Sequence, residues 1–332
     1  MEDYSNVIFC SISYRRNIKD MPFVKTLTDT ELAVGVARSM SEIFGDELEF
    51  KSLKNMPLEQ CLLLLEDGII SEELIENKDV SAFGANEDKT KFVYVNEQDH
   101  IRIVSKNKGF SLDKCYNDAN QMDDKVLDKL EVCFDGDLGY LTSNPSLFGT
   151  AMEISVGLFI PAIIKNNKLD IIKKELLKDE YELFSLNMQT YDDSCFVVIK
   201  NKYTFGYKEN EFASNMQRII QKICKYEALE ESNIFDLSSS KMVDEIYMAV
   251  GNLGWRYRLN LTESIQNIGQ MLWGIKLKML KCKKDANIFG LLSLIKENHI
   301  GSKLSIKEQE KNRAKLLNQF VRDNISKGEV DV

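Results

Sequence analysis

The sequence predicts an α+β protein, with mixed strands and helices over 1–235 and a small helical domain over 236–332. Three observations carry this. Two short apolar runs in 91–104 read as strands. Stripes at helical spacing recur over 29–45, 115–134 and 211–230. From 241 onward the pattern is helical throughout.

Taken in order, Leu32, Val36, Ala37, Met40 and Phe44 form the first helical stripe, and 57–66 gives a second, shorter helix. The strands Phe92–Val95 and Ile101–Val104 follow, joined by the polar turn Asn96–His100. The helix over 115–134 aligns Met122, Val126, Leu130 and Cys133. Residues 138–163 carry Gly139, Pro145, Gly149 and Pro161 and read as strand, loop and buried structure, and 194–206 is strand-like. An amphipathic helix over 211–230 precedes Asp236-Leu237-Ser238-Ser239-Ser240, the best linker candidate. The tryptophans Trp255 and Trp273 sit at core-like spacing and read as packing or interface residues.

Composition bounds the function. Hydrophobic residues are 44% and charged residues 29% of 332, so a sizeable core is available. A net charge of −9 argues against a nucleic-acid or acidic-membrane binder. The seven cysteines are scattered and form no C-x-x-C pair, and only His100 and His299 are present. That excludes a histidine-rich metal site and predicts a reducing cytoplasm with no disulfide framework. The start of the chain lacks a basic and apolar leader, and no apolar run approaches a membrane span.

One segment is specific. Tyr94-Val95-Asn96-Glu97-Gln98-Asp99-His100-Ile101-Arg102-Ile103 closely resembles the N-E-E-D-H-I/L-R-I signature of phosphagen kinases. Other motifs agree in order. Asn17–Phe23 resembles R-N-x-x-x-x-P-F, and Ala119–Asp124 resembles A-N-Q-x-D-D. Gly139–Ser143 resembles G-Y-L-T-S, with Gly149-Thr150 at the family spacing. The layout is similar to bacterial protein-arginine kinases (McsB type) of the phosphagen (ATP:guanido) kinase superfamily. The resemblance implies an antiparallel sheet flanked by helices, followed by a C-terminal helical domain.

The resemblance also implies a chemistry. Such enzymes pass the γ-phosphoryl group of ATP to a guanidinium nitrogen, using arginines and magnesium around the phosphates and carboxylates to orient the guanidinium. Several of those positions differ here. Ser11 and Ser13 stand at two phosphate arginines, and Glu153 stands at a third. Gln98 stands at the main catalytic glutamate, and an amide can neither take a proton nor carry its charge. Asn144 stands at a reactive cysteine, and a further family arginine aligns with Leu183. Glu97, Asp99, Arg102 and Arg16 are kept. Arg15 is expected on the strand face opposite Ser11 and Ser13. In the C-terminal domain an R-D-x-x-R-A phosphoarginine pocket is matched in part, with Gln309 at the first arginine and Glu310 and Arg313 retained. An ordinary solvated helix face is the competing reading there.

Magnitudes weigh the differences. A hydrogen bond to a charged group contributes about 1.5–3 kcal/mol, so three or four missing arginines remove about 5–10 kcal/mol. Micromolar binding is only about −8 kcal/mol in total. The expectation is therefore a pseudokinase with no cofactor, ATP and magnesium being implied by family alone. It would act as a regulatory or scaffolding subunit, in a homo- or heterodimer with an active arginine-kinase homologue or related regulator. The alternatives are an atypical active protein-arginine kinase and a phosphoarginine-binding module. On this reading Glu97, Asp99, Arg102 and His100 persist chiefly to hold a turn and a strand end.

Overall fold

The computed structural model describes residues 4–186, 195–206 and 208–328. Its elements in chain order are β1 (Val7–Arg16), α1 (Thr30–Phe44), β2 (Glu49–Ser52), α2 (Leu58–Glu66), α3 (Glu72–Glu76), β3 (Ala82–Ala85), β4 (Lys91–Val95), β5 (Ile101–Lys108) and α4 (Leu112–Leu127). There follow β6 (Phe134–Asp135), β7 (Gly139–Tyr140), β8 (Met152–Phe159), α5 (Pro161–Lys165), α6 (Leu169–Lys178), β9 (Tyr181–Ser185), β10 (Phe196–Asn201) and α7 (Glu209–Trp255). The chain closes with α8 (Leu261–Lys276), β11 (Leu280–Cys282), α9 (Ile288–Leu294), α10 (Glu297–Ile300), α11 (Ile306–Asn324) and β12 (Ile325–Lys327).

The fold is the expected α+β class: an eight-stranded sheet in the order β2-β3-β4-β5-β1-β8-β10-β9, with helices against it. Strand β1 lies centrally, antiparallel to both β5 and β8. Alternation along the strands decides which helix goes where. Val93, Val95, Ile101 and Ile103 face Val36, Met40 and Phe44 of α1 and Met122 and Val126 of α4. Phe92, Tyr94 and Val104 point the other way, toward Cys61 of α2 and Leu74 of α3. Asp29 starts α1 by accepting the N–H groups of Glu31 and Leu32. Leu32, expected in the stripe, is half exposed because α1 buries Ala33 instead.

Two compact units are recognised. One comprises Met1–Leu158, Ile172–Leu183 and Val198–Cys224; the other comprises Phe159–Ile171, Phe184–Val197 and Lys225–Val332. The expected linker at 236–240 is instead helical backbone inside the single helix α7. Serine costs only tenths of a kcal/mol in a helix interior, so three in a row do not stop one. Helix α4 ends at Leu127, so Cys133 lies beyond it, its N–H donating to the Asn17 carbonyl at 2.7 Å. The C-terminal part is not wholly helical, because β11 and β12 pair antiparallel. Trp273 is fully buried there, whereas Trp255 is 82% exposed and packs no core.

The motifs that resemble the family are structural joints in the first unit. Arg16 Nη2 pairs with Asp123 of α4 at 2.6 Å, and Nη1 donates to the carbonyls of Arg15 and Thr150. Its guanidinium lies 3.5 Å from the Tyr140 ring centroid. The Tyr14 hydroxyl donates to Asn120 on the same helix. Gly139 has φ 76°, and a Cβ there would meet the Gly149 carbonyl oxygen at 2.6 Å. Only glycine fits both constraints. Replacing Arg16 with alanine strips a buried charge pair of one partner. We expect Arg16→Ala to lose about 3–5 kcal/mol in urea denaturation.

A second buried carboxylate lies in the other unit. Glu227 accepts the N–H groups of Ala162 (2.8 Å) and Ile163 (2.9 Å) at the start of α5. Burial pushes its carboxyl up to about 7, against the pull of those two hydrogen bonds. A raised folded value means the group's contribution is complete below the ordinary carboxylate range and is lost as pH rises through about 7. Between about pH 5 and about pH 8 the loss from this group should approach about 3 kcal/mol. Denaturation of Glu227→Gln across that window should show a flatter pH profile than the parent chain.

Candidate active site

The site is built on the sheet face that carries Tyr94. On β1, Ser11, Ser13 and Arg15 have the same parity and share one face. The register sets Ser13 opposite Glu153 on β8 and Arg15 opposite Arg102 on β5. Arg15 Nε donates to Glu153 Oε2 at 2.6 Å, so its side chain lies on the Ser13 side. The expectation that Arg15 faces away is thereby corrected: residues 11, 13 and 15 alternate together, and it is Arg16 that turns to the other face.

The turn between β4 and β5 aims the carboxylates. Asn96 takes a left-handed φ of 54°, which asparagine tolerates, and its amide donates to the carbonyls of Ala33 and Val80. Asn77 donates to the carbonyls of Asn96 and Glu97. So clamped, the turn sends Glu97 inward, where it accepts from Ser71 Oγ (2.6 Å), Arg15 Nη1 (3.1 Å) and Arg102 Nη1 (3.1 Å). Asp99 Oδ1 accepts from Asn17 Nδ2 and the Ser143 N–H, both at 2.6 Å. Asp99 Oδ2 stands 3.5 Å from Arg15 Nη1 and takes no hydrogen bond. His100 Nδ1 accepts the Ile18 N–H, and Nε2 donates to the Pro22 carbonyl. Burial holds this ring below the ordinary histidine value, against the Pro22 bond and the Asp99 charge. It is a neutral strut.

Gln98 leaves this cluster. Its Nε2 donates to Glu73 Oε1 at 2.9 Å, where a glutamate would meet a like charge. Glu153 is not open to a phosphate. It pairs with Arg15 and with Lys200, and its carboxyl is 2% exposed. The result is a cluster in which buried Glu97, Asp99 and Glu153 are paired with buried Arg15 and with the partly exposed Arg102 and Lys200.

Electrostatics follow from that balance. Burial disfavours charged Glu153, but Arg15, Arg102 and Lys200 outweigh it and hold its carboxyl far below the usual range. Glu97 behaves alike: burial opposes its charge, and Arg102, Arg15 and the Ser71 hydrogen bond prevail. Among the described residues no group of three or more His, Cys, Asp or Glu is placed to hold a metal ion.

With this geometry in view, comparison with known proteins is direct. The family described as ATP:guanido phosphotransferase, C-terminal catalytic domain, matches residues 33–230. The chain belongs to the ATP:guanido phosphotransferase family. It is also homologous to protein-arginine kinases. That of Clostridium botulinum is 28% identical over 329 residues, covering 96% of each chain. That of Clostridium acetobutylicum is 28% identical over 341 residues, covering 98% of this chain and 97% of the relative. Solved structures share the fold. Lombricine kinase superposes with a TM-score of 0.59 at 22% identity, covering 71% of this chain and 70% of that one. The duplicated taurocyamine kinase of Schistosoma mansoni gives 0.62 at 19% identity, covering 75% of this chain. This chain spans only 38% of that duplicated enzyme.

The remaining family positions are scattered. Asn144 caps the short turn Pro145–Leu147, accepting from the Ser146 N–H (3.1 Å) and Oγ (2.9 Å). Leu183 is buried within β9. Ser11 lies in register with Lys106 and Ser155. In the other unit Arg313 is buried on α11 and donates to the carbonyls of Ile295 (2.7 Å) and Leu259 (3.1 Å). Burial lowers its basicity. The solvated helix face considered for this residue is thus corrected, since its guanidinium closes backbone. Glu310 accepts from Arg258, and Gln309 donates to the carbonyls of Gly301 and Leu304.

Sequence reasoning put Arg15 on the wrong face and missed Lys200 and Ser71. Strand parity alone was enough to find Arg15; nothing local marked the other two.

The depressed Glu97 and Glu153 values carry a sign. They contribute stability above the ordinary carboxylate value, and it is lost as pH falls. We expect Glu153→Gln to cost about 3–5 kcal/mol at neutral pH, because Arg15 loses a buried partner. The gap from the parent chain should narrow below about pH 4, where Glu153 takes up a proton in the unfolded parent while the folded parent still holds it ionised. Urea midpoints across pH read this directly.

Proposed function

We propose that this protein is a pseudokinase, a protein-arginine kinase homologue that transfers no phosphate and serves as a regulatory or scaffolding subunit. Its partner would be an active arginine-kinase homologue or a related regulator, in a homo- or heterodimer within the cytoplasm. One observation carries the reading: the charges that the family needs for nucleotide and magnesium are neutralised internally by Arg15, Arg102 and Lys200 against Glu97, Asp99 and Glu153.

The residues present do not fit magnesium and a nucleotide. Glu97 and Asp99 would have to release a guanidinium 3.1 and 3.5 Å away before meeting a metal. Arg102, the retained phosphate arginine, is bound to Glu97 at 3.1 Å. Glu153 would set a carboxylate beside the phosphates, a repulsion of about 1–4 kcal/mol at intermediate dielectric. Gln98, in turn, cannot draw a proton from a guanidinium.

The scaffold supports a retained structural role. Arg16, Asn17, Asp123, Tyr140 and Gly149 all make joints that need no nucleotide. All seven cysteines are free thiols, as a reducing compartment would keep them. No helix of the described residues is long and apolar enough to cross a membrane.

ATP with magnesium at millimolar concentration should leave the melting temperature unchanged. A ligand at 100 times its Kd would add about 2.7 kcal/mol and be plainly visible. Incubation with ATP, magnesium and an arginine-rich protein should give no phosphoarginine by mass spectrometry. Co-purification from the native host should recover a kinase-family partner. A clear ATP shift together with phosphoarginine would establish an atypical kinase and defeat the proposal.

A further inference from the structure

The cluster that displaces nucleotide chemistry has a definite ligand chemistry of its own. Where the resemblance implies arginines gripping a phosphate, this face presents Ser13 and Glu153, and the buried charge it grips is positive. That charge is a guanidinium. Arg15 offers its planar fork to three carboxylates at once: Nε to Glu153 (2.6 Å), and Nη1 to Glu97 (3.1 Å) and Asp99 (3.5 Å). Arg15, Glu97, Asp99 and Glu153 are each at most 5% exposed. The carboxylates are held independently of Arg15. Asn17 and Ser143 fix Asp99, Ser71 and the Asn77 clamp fix Glu97, and the β8 register fixes Glu153.

We propose that these carboxylates form a guanidinium-binding site in which Arg15 is the chain's own resident ligand, so that removing its side chain opens the site to a small external guanidinium. This rests on the reading that the site holds no nucleotide. Three observations favour a guanidinium over an ammonium. The acceptors diverge around one planar group, so a fork serves them where a point charge serves one or two. Asp99 Oδ2 takes no hydrogen bond and stands at ion-pair distance from Nη1, leaving an acceptor for an occupant freed from the β1 backbone. Without Arg15, three carboxylates face only Arg102 and Lys200, and the excess buried negative charge favours a cation. The resident arginine equally explains why the intact protein would be closed to a partner's arginine side chain.

The test is chemical rescue of Arg15→Ala with methylguanidinium, methylammonium and sodium chlorides at matched ionic strength. Methylguanidinium should raise its melting temperature with an apparent affinity at least about tenfold above methylammonium, equivalent to about 1.4 kcal/mol. Each shift is read against that of the parent chain in the same salt, because guanidinium salts weaken folding generally, and Arg15→Ala/Glu153→Gln should lose the preference. Should Arg15→Ala fail to fold alone, the same selectivity should appear in recovery of its far-UV circular dichroism. Equal responses to methylguanidinium and methylammonium, including no rescue by either, overturn the proposal. So does a parent chain that responds as strongly as the variant. The ATP and phosphoarginine assays are separate, so either result can fail without the other.

Discussion

The Arg16 guanidinium, buried between β1, α4 and the loop that follows β7, is the interaction on which the first unit depends. A charged group with 1% exposure needs its charge and most of its donors met, and of the Arg16 nitrogens Nε takes no hydrogen bond. Here Asp123 supplies the charge, the carbonyls of Arg15 and Thr150 take Nη1, and the Tyr140 ring covers a face. Each partner sits in a separate stretch of sequence that resembles the family. Their joint product is a helix fixed to a sheet, which is needed whether or not phosphate is transferred.

Arg15 and Arg16 show how one strand serves both ends. Adjacent residues on β1 project to opposite faces, so two neighbouring guanidiniums enter two different buried networks. Arg16 joins the helix α4 side, and Arg15 joins the carboxylates on the Tyr94 side. The Arg15 carbonyl also receives Arg16 Nη1, so the two networks share a peptide unit. The site therefore sits on an interior strand of the sheet, flanked by β5 and β8.

Legibility in the sequence followed the range of each interaction. The β4–β5 pair, α1 and α2 were readable because their apolar periods are local and strong. The sheet order was not, since antiparallel neighbours such as β1 and β8 are over a hundred residues apart in sequence, and the resemblance implied only an antiparallel sheet flanked by helices. The linker at 236–240 was misread because a serine run is a weak breaker when helix-forming segments flank it. In the site, the positions aligned with family motifs were legible one by one. Their coupling was not. Glu153 looked like a repulsive replacement until its partners Arg15 and Lys200 were in place, and neither lies near it in sequence. Arg313 was legible only as a motif match, and the two carbonyls that its Nε and Nη1 reach, Ile295 and Leu259, lie 18 and 54 residues away in sequence.

That coupling constrains how the site could have arisen and what could undo it. Glu153 without Arg15 would keep only Lys200 as a direct partner, with Arg102 acting at longer range, and Arg15 without Glu153 would leave Nε without its acceptor. Either state costs several kcal/mol, a large share of a domain's margin. An arginine restored at 153 would meet Arg15, Arg102 and Lys200 at once, all positive. A glutamate restored at 98 would meet Glu73. Glu97, Asp99 and Glu153 with Arg15, Arg102 and Lys200 therefore act as one electrostatic unit, and changing the sign of a single member leaves its buried partners uncompensated.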